Sequence, residues 1–183
     1  QAAALVRAAK EAGADAVKLQ TYTADTITLD SDQPCFRIKN TAWDGRNLHE
    51  LYREACTPWE WQPKLKKLAD ELGLILFSTP FDPTAVDFLE KMCVPAHKIA
   101  SFELVDIPLV RRIARTGKPI IMSTGMATLE EIEESVAAIR AEGNEQLALL
   151  KCTSSYPAPL EDMNLRTIPV LAEHFGVPAG LSD

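Results

Sequence analysis

No uncharged apolar stretch in the 183 residues approaches the roughly 18 to 20 residues that a membrane-spanning helix needs. Positive charge is also scarce. Nineteen Lys and Arg stand against 26 Asp and Glu, for a net charge of −7, and no basic stripe forms that would track a phosphate backbone, so nucleic acid is not an expected partner. The four cysteines, Cys35, Cys56, Cys93 and Cys152, include no C-x-x-C pair, which leaves neither a zinc knuckle nor a dithiol motif. Reduced thiols of this kind fit a cytoplasmic protein. No G-x-G-x-x-G follows an apolar run, which removes the main sign of a dinucleotide-binding open sheet. An initiator Met is missing before Gln1, and Gln1 to Gly13 reads as the later part of a helix without a cap, so the chain is expected to be part of a longer one.

What is present is the composition of a folded domain, 46% hydrophobic and 25% charged, with a repeating grammar. AAALVRAAKEAG runs into AVKLQ, LKKLADELG into LILFST, AVDFLEKMCVP into HKIAS, and IPLVRRIARTGKP into IIMST. LEEIEESVAAIRAEGNEQ then runs into LALLKCT, and IPVLAEHFGVP into AGLS. Six helices each precede a strand, with glycines 73, 117, 143 and 176 near helix ends. LILF, IIM and LALL are continuous apolar runs, as strands covered on both faces require. The fold class is α/β with a parallel sheet. A doubly wound sheet and a (β/α)8 barrel both satisfy the alternation, and the missing glycine fingerprint favours an incomplete barrel.

Thr21 to Pro58 interrupts the rhythm with a polar excursion holding Asp25, Asp30, Asp32, Trp43, Asp44 and Arg46 and a short helical piece, LHELYREA. Loops of that length serve as lids or binding loops, or merely cover a barrel rim. TPWEW reads as a helix start with Pro58 in the first helical position and its tryptophans as packing anchors. His49 and His174 fall on helices, where a solvated face is the simpler reading, and the glutamates from Glu130 to Glu134 follow Thr128 as first-turn acids behind an N-cap.

Active sites of parallel α/β folds form at the carboxyl ends of the strands, and here those ends are polar in succession. They carry Lys18 and Gln20; Ser78 and Thr79; Lys98, Ser101 and Glu103; Ser123 and Thr124; Lys151, Thr153, Ser154 and Tyr156; and Ser182 and Asp183. Lysines among hydroxyls suit a small phosphate or carboxylate anion. Lys18, Lys98 and Lys151 are equally candidates for a Schiff-base nucleophile of an aldolase, and a barrel without catalysis is the non-enzymatic alternative.

The ordered set AVKLQTY, WDG, LHELY, TPWEW, FSTPFD, KIASFELVDIPL, KPIIMSTGMAT, KCTSSYPAP and GLSD resembles the sialic acid synthases, and among them the bacterial pseudaminic acid synthases. The resemblance covers essentially the whole chain. It implies residues 1–183 as strands two to seven of a (β/α)8 barrel, with a C-terminal antifreeze-like domain absent from this chain. It further implies condensation of phosphoenolpyruvate with an N-acetylated amino sugar, a di-acetamido trideoxy-altrose, to give pseudaminic acid and phosphate. N-acetylneuraminate or legionaminate synthesis is the alternative. Carried over by motif, Lys18, Thr79, Lys98, Ser101, Ser123, Ser154 and Ser182 would hold phosphoenolpyruvate, while Gln20, Phe81 and Tyr156 would meet the sugar. Glu103 would assist proton transfer. Ser154 departs from the Asn of relatives that make N-acetylneuraminate. The resemblance also implies a divalent metal, manganese or magnesium, whose ligands lie outside this chain, and a homodimer. The 183 residues alone are therefore expected to be inactive.

Overall fold

The computed structural model describes residues 1–39, 43–155 and 157–182, so Tyr156 and Asp183 lie outside the described residues. The chain divides into two compact units, Gln1–Met92 and Cys93–Asp183. The expected alternation is present: α1 (Ala2–Glu11), β1 (Ala16–Thr21), α2 (Ala24–Ile27), α3 (Leu48–Ala55), α4 (Gln62–Glu71), β2 (Ile75–Pro80) and α5 (Pro83–Lys91) in the first unit. The second holds β3 (His97–Ile99), α6 (Ile107–Ala114), β4 (Ile120–Ser123), α7 (Leu129–Ala141), β5 (Leu147–Cys152), α8 (Thr167–Phe175) and β6 (Ala179–Ser182).

In the first unit β1 pairs with β2 in parallel, Lys18 opposite Phe77 and Gln20 opposite Thr79. Alternation along β1 sends Val17 and Leu19 onto a core of Val6, Leu65, Ala69, Leu74 and Leu76, supplied by α1, α4, β2 and the residue just before β2. Lys18 and Gln20 take the other face and are exposed. At the carboxyl ends of this pair the Thr21 and Ser78 hydroxyls lie 2.7 Å apart, and Thr21 donates to Gln62 Oε1 at 2.8 Å, all three residues being fully buried. Ser78 is therefore a packing hydroxyl.

The excursion after β1 is ordered around its two ends. Trp59 donates its indole N–H to the Tyr22 carbonyl at 3.1 Å and packs its ring on Phe88, with centroids 4.7 Å apart. The Trp anchor is thus present, but Pro58 caps a 3-10 turn, Trp59–Trp61, and α4 begins only at Gln62 with Pro63 in its first turn. His49 also departs from the solvated reading. It is 7% exposed, with Nε2 2.8 Å from Asp25 Oδ1, because α3 folds back onto α2. His174 is exposed as expected and pairs with Glu133 at 2.7 Å.

In the second unit the four parallel strands lie in chain order, β3-β4-β5-β6. A doubly wound sheet would reverse direction at a switch point. Sequential order is instead the succession of a (β/α)8 barrel, of which the chain carries six strands. Ile99, Met122 and Leu149 share one register row and are buried, as are Val110, Ile113 and Ile139 of the helices. Thr128 caps α7 through a reciprocal box: its hydroxyl accepts from Glu131 N, and the Glu131 carboxylate accepts from Thr128 N at 2.8 Å. Gly176 ends α8 in the left-handed region, with φ +66°, where a side chain would be strained.

Candidate functional site

Register decides which polar strand ends meet. In the second unit Lys98 pairs with Ile121, and Ser123 lies two residues beyond Ile121, so Lys98 and Ser123 share a face. Ser123 pairs with Leu150, Cys152 lies two residues further, and Cys152 pairs with Ser182. Lys98, Ser123, Cys152 and Ser182 therefore occupy the face opposite Ile99, Met122 and Leu149.

Lys98 is 3% exposed. Its Nζ donates to Ser123 Oγ at 2.5 Å and to the Ile99 carbonyl at 2.7 Å. Beside this pair Gly125 approaches β5 closely enough for its N–H to bond Cys152 Sγ at 3.2 Å, and Ser101 Oγ lies at the same distance from that sulfur. A Cβ on Gly125 would collide with Ser101 Oγ and stand 2.6 Å from Ser154 Oγ. The absence of a side chain at residue 125 thus lets the serines from two loops converge over bare backbone. A buried ammonium, serine hydroxyls and backbone form a cradle suited to a small oxyanion.

Glu103 begins the 3-10 turn Glu103–Val105 that follows β3, and the Ser135 hydroxyl of α7 fastens this turn by donating to the Leu104 carbonyl. Glu103 Oε2 is buried and has no hydrogen-bond partner among the described residues. Burial pushes the Glu103 carboxyl above the usual carboxylate range, against the pull of its own backbone N–H and of Lys98, while Asp106 adds to the rise. A carboxyl whose pKa is raised although an ammonium lies beside it is suited to proton transfer.

In the first unit Lys18 and Gln20 stand on one face with Thr79 beside Gln20, the latter two in register. Thr79 is buried, and the Phe81 ring meets Tyr22 edge-on with centroids 5.5 Å apart. Lys151, treated in the sequence as the equal of Lys98, lies on the opposite face of β5 from Leu150 and Cys152 and reaches Thr153 Oγ1 at 2.6 Å. Two participants were missed from sequence, Cys152 and Gly125. The available signal was the position of Cys152 directly after Lys151, at the polar end of an apolar run, and of Gly125 directly after Ser123 and Thr124.

Residues 5–183 match the NeuB family. The chain belongs to that family. It is 49% identical over 178 residues to the pseudaminic acid synthase of Helicobacter pylori, an alignment covering 97% of this chain and 52% of that protein. Against the N,N'-diacetyllegionaminic acid synthase of Legionella pneumophila the identity is 38%, covering 98% and 51%. The crystal structure of an N-acetylneuraminic acid synthetase from Leptospira borgpetersenii superposes with a TM-score of 0.87 at 28% identity, covering all of this chain and 59% of that one. The chain spans about half the length of the curated relatives it matches. Among the described residues of this NeuB chain no helix is long and apolar enough to cross a membrane, and no group of three or more His, Cys, Asp or Glu converges to hold a metal ion.

Proposed function

We propose that the protein containing this chain condenses phosphoenolpyruvate with a di-acetamido trideoxy-altrose, forming pseudaminic acid and phosphate. The observation that carries the reading is the cradle of Lys98, Ser123, Ser101, Ser154 and Gly125, set in a chain 49% identical to pseudaminic acid synthases and 38% identical to a legionaminic acid synthase. In the proposed reaction carbon three of phosphoenolpyruvate attacks the aldehyde of the open-chain sugar, water adds at carbon two, and phosphate departs with C–O cleavage. Lys98 and the serines hold the anionic groups as charge redistributes, an electrostatic contribution that is often the largest in catalysis. Glu103, whose carboxyl pKa is raised above the ordinary range by burial, supplies a proton to the aldehyde oxygen as the carbon–carbon bond forms. The family resemblance adds Lys18, Thr79 and Ser182 as residues that would hold phosphoenolpyruvate, and Gln20, Phe81 and Tyr156 as residues that would meet the sugar.

A divalent manganese or magnesium ion and a homodimer belong to the same proposal. Among the described residues of this chain no three His, Cys, Asp or Glu come together as a metal site. A Schiff base at Lys98 is disfavoured because its ammonium already donates to Ser123 and to the Ile99 carbonyl. The test is phosphate release by the full-length protein with phosphoenolpyruvate and each candidate sugar in turn. Turnover with the di-acetamido trideoxy-altrose supports the reading, and turnover only with N-acetylmannosamine overturns the choice of sugar. Trapping of a lysine by borohydride with pyruvate overturns the reaction class.

A further inference from the structure

A cavity of about 410 Å³ opens at the carboxyl end of β5, lined by Lys151, Thr153, Ser154, Asn164 and Thr167 among others. Its wall carries both the buried Lys151 and the exposed Asp162. Lys151 is 7% exposed, and its Nζ donates to Thr153 Oγ1 at 2.6 Å and reaches the Asp162 carbonyl only at 3.5 Å. Both partners are neutral, and among the described residues no carboxylate pairs with it. Asp162 turns its carbonyl toward Nζ, where that oxygen also accepts from Thr153 Oγ1 and Asn164 Nδ2. A buried ammonium with only neutral acceptors is costly, and a counter-anion in the adjoining space offsets that cost.

We propose that Lys151 and the polar wall of this cavity form a second oxyanion subsite, one that binds phosphate separately from the Lys98 cradle. The two lysines lie on opposite faces of the sheet, so one anion at Lys98 does not neutralise Lys151. The cavity nevertheless reaches Gly125 and Ser154, so the subsite opens toward the cradle. Taken with the proposed reaction, on which this last point rests, the subsite receives the departing phosphate or the phosphoryl end of the entering substrate.

Calorimetric titration of the full-length protein with inorganic phosphate, and separately with phosphoenolpyruvate, tests the subsite without relying on turnover. Lys98→Met is expected to retain phosphate binding, and Lys98→Met with Lys151→Met to lose about tenfold or more of the remaining affinity. A larger loss for phosphoenolpyruvate than for inorganic phosphate assigns the subsite to the substrate's phosphoryl group. Asp162→Asn keeps the carbonyl that gathers three donors and removes a negative charge from the wall, so it is expected to tighten binding even if the Lys151 variant does not fold. Phosphate binding that disappears with Lys98→Met alone, or that neither Lys151→Met nor Asp162→Asn changes, overturns the proposal.

Discussion

Lys98 Nζ bonds Ser123 Oγ at 2.5 Å, joining two strands through side chains 25 residues apart in sequence. The contact places one positive charge against the hydroxyl that ends the neighbouring strand. Lys98→Ala in the full-length protein is expected to weaken phosphoenolpyruvate binding by about 1.5–3 kcal/mol, the range for losing a hydrogen bond to a charged group. Calorimetry reads the change directly, and unaltered affinity removes Lys98 from the site.

Gly125→Ala introduces a methyl where Ser154 Oγ lies 2.6 Å and Ser101 Cβ 2.7 Å from the new atom. Overpacking of this kind costs about 1–3 kcal/mol. Both the melting temperature and phosphoenolpyruvate affinity are expected to fall, since the serines must retreat. A variant matching the parent in both measurements shows that the cradle is looser than described.

Glu103 sets a pH dependence of known sign. Its folded-state pKa is raised, so the folded protein holds this proton more tightly than the unfolded chain does. The stability that the proton confers is complete below the ordinary carboxyl value near about 4 and is lost as pH climbs through the raised folded value. Glu103→Gln removes this titration. Thermal unfolding followed across that window is expected to show the variant gaining on the parent as pH rises, and parallel curves would falsify the assignment.

Thr128→Ala opens the capping box of α7 and is expected to cost about 1 kcal/mol of stability, read as a lower denaturant midpoint with an unchanged slope. Thr128→Ser retains the hydroxyl and should behave like the parent. Equal losses in the two variants would move the effect from the cap to the packing of the Thr methyl.

The helix–strand rhythm and the barrel class were legible because unbroken apolar runs such as LALL leave few alternatives, and sequential strand order confirms the choice over a doubly wound sheet. The Thr128 cap was equally legible, being a local pattern. Face assignment was harder. Lys98 and Lys151 look equivalent as lysines at strand ends, and only the pairing register separates them by one step of the two-residue period. The burial of His49 was not readable because it depends on α3 meeting α2 within the long excursion, where composition predicts a solvated surface. Pro58 was misplaced by a few residues because a proline serves equally as the cap of a 3-10 turn and as the first residue of a helix.

The Trp59 indole on the Tyr22 carbonyl ties together positions 37 residues apart. With both ends moored to the framework, lengthening the intervening chain adds only a logarithmic entropic penalty, about 0.6 kcal/mol for each doubling. An insertion among the exposed residues around Asp32 is accordingly expected to leave the register of β1 on β2 unchanged, which makes that stretch a place where chain length can vary at little cost.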